Sequence, residues 1–125
     1  MPKKNIIITI IIITAVIALG VWWWQGSRQP GKLDDFAKCL DGKGAKFYGA
    51  FWCSHCQNQK AIFGSSKKYL PYVECSTPDS NSQLPICKGD NVNVYPTWKF
   101  SDGSVQEGEL TLGELAEKTG CVLPE

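Results

Sequence analysis

The hydrophobic and polar positions divide the chain into three stretches of different character. Residues 6–24, IIITIIIITAVIALGVWWW, form one apolar run without a charge. As a helix rising about 1.5 Å per residue, this run spans about 28 Å, close to the roughly 30 Å hydrocarbon core of a bilayer. Trp22, Trp23 and Trp24 close it, where an aromatic belt meets lipid headgroups. Residues 25–32, QGSRQPGK, are polar with Gly and Pro and read as a linker. From residue 33 onward short apolar segments alternate with turn signals. The pattern therefore predicts an anchor over 1–24, a linker over 25–32 and a domain over 33–125.

The domain begins with Leu33, Phe36, Ala37 and Leu40 at helical spacing, with Asp34 and Asp35 in the first turn. Residues 41–44, DGKG, end that helix. Residues 45–51, AKFYGAF, are aromatic-rich and read as a buried strand. Trp52-Cys53-Ser54-His55-Cys56 follows, then QNQKAIFG, whose Gln, Lys and Ala favour a helix with Cys53 at its N-terminus. Residues 72–75 (YVEC) predict a second strand, 76–82 a loop and 83–88 a short helix. Residues 97–101 (TWKFS) and 104–108 flank Asp102-Gly103, a hairpin turn signal. Leu112, Leu115 and Ala116 predict a last helix over 110–119, ended by Gly120. The domain order is thus α, β, α, β, α, β, β, α.

Composition narrows the class. Thirteen Lys and Arg against twelve Asp and Glu leave a net charge of +1, which offers no basic footprint for nucleic acid. A 43% hydrophobic and 20% charged composition excludes a disordered chain. All six cysteines lie after the apolar run. That is a high count for a reducing compartment, and it places the domain in the periplasm or outside the cell. Charge adds little to orientation, with Lys3 and Lys4 before the run and Arg28 and Lys32 after it. A cleaved signal peptide is the rival reading, with Ala18 and Gly20 as an A-x-G site. The apolar run exceeds the usual signal core, which favours a retained, single-pass anchor.

Cys53 and Cys56 carry the chemistry. Two cysteines at i and i+3 on a helix start can close a small disulfide ring. Free backbone N–H groups and the positive end of the helix dipole stabilise a thiolate at the first of them. Cys53 is then the attacking sulfur and Cys56 the resolving one. His55 can add positive charge beside Cys53; the plainer alternative is a solvent-facing helix residue. The same CxxC can also be half of a zinc site, or an inert structural disulfide. The chain has no second CxxC and no second His, and Gln57 stands where a c-type haem motif needs His. Pro96, between Tyr95 and Thr97, is either an ordinary trans-proline at a strand start or a cis-proline that turns the chain toward the CxxC. In the second case the Tyr95 backbone is left to pair with a substrate strand.

FYGAFWCSHC (47–56), YPTW (95–98) and LGELAEKTG (112–120) resemble a thioredoxin-fold domain. More narrowly, residues 44–64 with YVEC (72–75) resemble the thioredoxin-like domain fused to bacterial and plant homologues of vitamin K epoxide reductase. The likeness covers roughly 36–120. It implies a redox pair at Cys53 and Cys56, a cis-proline at Pro96, and a second, internal pair at Cys75 and Cys87. It also implies disulfide exchange between extracytoplasmic protein thiols and a quinone-linked membrane redox protein. The four-helix membrane domain of that family is absent, so the resemblance predicts a stand-alone, tethered version meeting its partner in trans. Thioredoxin carries a buried carboxylate about where Phe47 falls, and no acid stands there. The Ser-His dipeptide keeps the His of strongly oxidising members such as DsbA and protein disulfide isomerase.

Cys39, on the first helix, and Cys121, after the last, remain. If those helices share a face of the sheet the two can pair, closing a loop worth roughly 4 kcal/mol by chain entropy. Otherwise they are free thiols. The sequence thus predicts an α/β, thioredoxin-like three-layer α/β/α fold preceded by one transmembrane helix. It predicts a monomeric, membrane-tethered thiol–disulfide oxidoreductase acting as an oxidant, without cofactor or metal. Trp52 shields the pair, and Tyr95 with Pro96 docks substrate. The alternatives are a reductase or isomerase of the same fold, and a redox-inactive binding module.

Overall fold

The computed structural model describes residues 2–26 and 30–125. They fall into two units, residues 1–30 and 31–125, and each is described by itself. The first unit is a helix, α1 (Lys3–Gly26). Its mean hydropathy of 2.7 over an 18-residue window, and its length of 24 residues, are enough to cross a membrane. The helix continues through Gln25 and Gly26, which the sequence pattern assigns to the linker. Ser27, Arg28 and Gln29 lie outside the described residues.

The second unit is built on a four-stranded sheet of order β2-β1-β3-β4. The strands are β1 (Lys46–Gly49), β2 (Tyr72–Glu74), β3 (Thr97–Lys99) and β4 (Val105–Glu107). β1 runs parallel to β2, with Phe47 opposite Tyr72, and antiparallel to β3, with Phe47 opposite Trp98. β3 and β4 form the hairpin that Asp102-Gly103 predicts, with Gly103 at φ 85° where a side chain would be strained. The helices are α2 (Asp34–Gly42), α3 (Ser54–Ala61), α4 (Pro85–Gly89) and α5 (Leu112–Thr119). A 3₁₀ turn, Gly64–Tyr69, follows α3. The unit is a mixed α/β fold with its elements in the expected order.

Strand alternation sorts the core. On one face of β1, Phe47 stacks on Trp98 with ring centroids 4.8 Å apart. Phe36 and Leu40 of α2, Cys56 of α3 and Leu115 of α5 pack on the same side. Tyr48 faces the other way, with Cys75, Cys87 and Val92. Helices therefore cover both faces, which makes three layers. α2 and α5 share the Phe47 face, and a disulfide joins Cys39 to Cys121 across them. A second disulfide joins Cys75, at the end of β2, to Cys87 in α4.

Element limits differ from the sequence reading where local hydrogen bonds intervene. The first strand stops at Gly49 rather than residue 51, because the Cys53 amide turns back to the Ala50 carbonyl at 3.0 Å. α4 begins at Pro85, whose fixed φ suits a first helical position, and not at residue 83. Gln83 instead bridges to Ser76 and donates to the Val92 carbonyl. α5 begins after Thr111, where Thr111 and Glu114 form a reciprocal capping box.

Candidate functional site

The loop after β1 delivers residues 50–53 to the start of α3. Cys53 is the N-cap residue, in extended conformation, and its sulfur accepts the Cys56 amide at 3.2 Å. The two sulfurs are 2.6 Å apart, and these are the two free cysteines. Cys53 keeps 7% of its surface exposed and Cys56 none. Burial, followed by the hydrogen bond to Cys53, pushes the Cys56 thiol up to about 12, so it stays protonated at neutral pH. Gly49 explains how Cys56 fits against the sheet. A Cβ at residue 49 would sit 2.9 Å from the Cys56 sulfur and 2.9 Å from Tyr72 Cε2.

Neighbouring side chains hold the loop. Glu74 of β2 accepts the amides of Phe51 (3.2 Å) and Ser76 (3.0 Å) on one oxygen, and the Tyr72 hydroxyl (2.8 Å) on the other. Gln57 donates back to the Phe51 carbonyl at 2.9 Å. Trp52 donates its indole N–H to Ser76 Oγ at 2.8 Å, and its ring meets Tyr95 edge-on at 6.0 Å. Trp52 nonetheless stays half exposed, at 52%. Through this contact the CxxC loop and the segment before β3 adjoin. There the Tyr95–Pro96 peptide bond is cis and the Pro96 side chain is fully buried.

His55 has a partner the sequence did not reveal. Its Nδ1 lies 2.6 Å from Glu109 Oε1, and Asn58 donates to the same oxygen at 3.2 Å. These two contacts hold the Glu109 carboxyl below the ordinary Glu range. The histidine ring remains largely exposed, as a solvent-facing helix residue would, but it is oriented by this carboxylate. The segment carrying Glu109 is fixed in turn by Gln59, which is fully buried. Gln59 Nε2 donates to the Leu110 carbonyl at 2.9 Å, while its Oε1 accepts the Leu110 amide at 2.7 Å and the Trp98 indole N–H at 3.2 Å. Gln59 lies three residues after Cys56, on the same helix face. That spacing from a buried cysteine was the available signal, masked by a polar residue type.

The remaining cysteines are spent in disulfides, and among the described residues no three His, Cys, Asp or Glu side chains are grouped to hold a metal ion. The arrangement is therefore two buried cysteines with their sulfurs in contact at a helix N-terminus, of which only Cys53 keeps any surface exposed. Chemically it can form a disulfide with a second sulfur and release it by internal attack.

No family model matches the chain. In a match 94 positions long that covers 71% of the chain, it is 47% identical to a protein of Arabidopsis thaliana named "Thiol-disulfide oxidoreductase LTO1". The match is 24% of that protein, so the chain spans about a quarter of the length of this relative.

Proposed function

We propose that this chain is a membrane-tethered thiol–disulfide oxidoreductase that exchanges disulfides with extracytoplasmic protein thiols. The observation that carries the reading is the Cys53–Cys56 pair, two free sulfurs 2.6 Å apart, with the first at the mouth of α3 and the second sealed beneath it. The name of the Arabidopsis relative supports the same chemistry. In the oxidising direction a substrate thiolate attacks Cys53 of the disulfide form and expels Cys56. A second thiolate of the substrate then attacks the first substrate sulfur, forming the substrate disulfide and releasing Cys53 as the thiolate. Trp52 covers the pair. The backbone of Tyr95, beside Pro96, offers an edge to the substrate strand. His55 tunes the pair from α3, with Glu109 setting the orientation of its ring.

The apolar helix α1 supplies the tether, and the domain lies on the extracytoplasmic side. Two disulfides in a domain this small support an oxidising compartment. The electron acceptor is a quinone-linked membrane protein of the vitamin K epoxide reductase type, on the resemblance of residues 44–64 and 72–75. The domain boundaries follow the composition: anchor to residue 24, linker to 32, exchange domain beyond.

The test is the reduction potential of the full chain in detergent micelles, equilibrated against glutathione buffers. A value between about −120 and −180 mV supports the oxidising role, and one near about −270 mV turns the assignment to a reductase. A Cys56→Ala variant separates exchange from mere binding. It accumulates mixed disulfides on Cys53 if the proposal holds. A variant that binds the same partners without any covalent adduct makes the chain a redox-inactive adaptor.

A further inference from the structure

Cys56 poses a problem that the exchange reading leaves open. It must shed its proton to attack Cys53, yet it is fully buried and its thiol is held up by that burial. No acid or base stands at residue 47, where Phe47 is stacked on Trp98. The positive charge that acts on the Cys56 thiol comes from the helix instead. Lys60 follows Cys56 by four residues on α3, hence on the same face. Its Nζ stands over the Tyr72 ring, 3.3 Å from the centroid. Tyr72 Cε2 and the Cys56 sulfur both lie 2.9 Å from one point, the empty Cβ position of Gly49, so they are at most twice that distance apart. The Tyr72 ring is itself fixed by its hydroxyl on Glu74. The ionisable groups acting on Lys60 are Glu74, Lys67, Cys56 and Cys53, and burial weakens its hold on its own proton.

We propose that Lys60 is a positioning residue for the Cys56 thiol, its ammonium held on the Tyr72 ring so as to stabilise the Cys56 thiolate during resolution. The inference rests on the exchange function proposed above. In the mixed disulfide, Cys53 is bonded to the partner sulfur. Cys56 gives its proton to water, and its thiolate attacks the Cys53 sulfur. The Cys53–Cys56 bond forms and the bond from Cys53 to the partner breaks. The electron pair leaves with the partner thiolate, which takes a proton from water. The protein pair is oxidised and the partner reduced. In reverse, Cys56 departs as a thiolate beside the same ammonium.

Single-turnover reaction of the full chain, its Cys53–Cys56 pair reduced and its other two disulfides intact, in detergent, with excess 5,5′-dithiobis(2-nitrobenzoate) tests this. Attack by Cys53 releases one coloured thiolate at a rate that scales with reagent. Attack by Cys56 releases a second at a rate that does not. Each pKa unit of lost stabilisation cuts the Cys56 thiolate fraction about tenfold, and its greater nucleophilicity returns about threefold of that. Lys60→Met and Lys60→Gln are therefore expected to slow the second phase about threefold or more and to move its rise with pH upward. The first phase stays within about twofold, and Lys60→Arg, which keeps the charge, preserves the second phase. The inference is overturned if both neutral variants keep the wild-type second phase, or if Lys60→Arg slows it as much as Lys60→Met. Equal slowing of both phases also overturns it. A wild-type chain with no second, reagent-independent release would instead refute the exchange function itself.

Discussion

Replacing Gln59 with Met tests how the site is held, because Met matches the length of Gln and carries no hydrogen-bonding amide. The substitution strips partners from three buried groups: the Leu110 amide, the Leu110 carbonyl and the Trp98 indole N–H. Each orphaned buried group costs about 1–3 kcal/mol. The Trp98 bond, at 3.2 Å, is the longest of the three and is placed at the low end. Met also returns some apolar transfer energy in a core position. The expected loss is about 3–6 kcal/mol, a large share of the roughly 5–15 kcal/mol that holds a small domain together. With a urea dependence of about 1 kcal/mol per molar, the unfolding midpoint falls by about 3–6 M. The assay is urea unfolding of the full chain in micelles, followed by near-ultraviolet circular dichroism. That signal favours Trp98, which is fully buried, over Trp22, Trp23 and Trp24, which are exposed. A loss under about 1 kcal/mol refutes the reasoning, since the three bonds would then contribute no more than water does.

Three further outcomes are expected. The Glu109 carboxyl titrates below the ordinary Glu value of 4.5, and His55→Ala brings it back toward that value, as carbon-13 NMR of the side chain reads directly. Because that carboxyl is depressed in the folded chain, its contribution is present above the ordinary Glu range and fades as pH falls through the lowered value. Gly49→Ala drives a methyl into the Cys56 sulfur and the Tyr72 ring; a loss of about 1–3 kcal/mol in thermal unfolding is expected, with a slower second phase of thiol release. An unchanged melting curve counts against that close approach. Replacing Cys39 and Cys121 together with Ser removes a link across 82 residues and costs about 4 kcal/mol, while the reduced chain still releases two equivalents of coloured thiolate. Loss of the second equivalent would show that this disulfide also shapes the exchange pair.

The parts legible in the sequence are those written in apolar spacing and turn chemistry. Phe36, Ala37 and Leu40 announce α2, Asp102-Gly103 announces the hairpin, and Leu112 and Leu115 announce α5. The uncharged run from Ile6 to Trp24 announces α1, though its polar continuation to Gly26 does not show in hydropathy. The 3₁₀ turn over Gly64–Tyr69 leaves no mark in the pattern, because GSSKKY has no apolar period. The side chains around the CxxC were hidden for a different reason. Gln59 and Lys60 lie in QNQK, which reads as an exposed helical face, and only the burial of Cys56 reveals which way that face turns. Glu74 sits in a three-residue strand whose residues are all partly buried, so alternation gives no clue to its two amide partners. Glu109 lies in an irregular segment more than 50 residues from His55, and only the fold joins them.

The unequal burial of the two sulfurs has a consequence for the sequence of events at the site. Cys53 retains a thin exposed edge, while Cys56 is walled in by the sheet at Gly49 and by its own helix. Under the proposed exchange, every partner must arrive and depart through the same sulfur. Adducts trapped on Cys56 by small thiols are then kept out by lack of access, whatever their reactivity. Order is imposed by geometry before any difference in nucleophilicity acts.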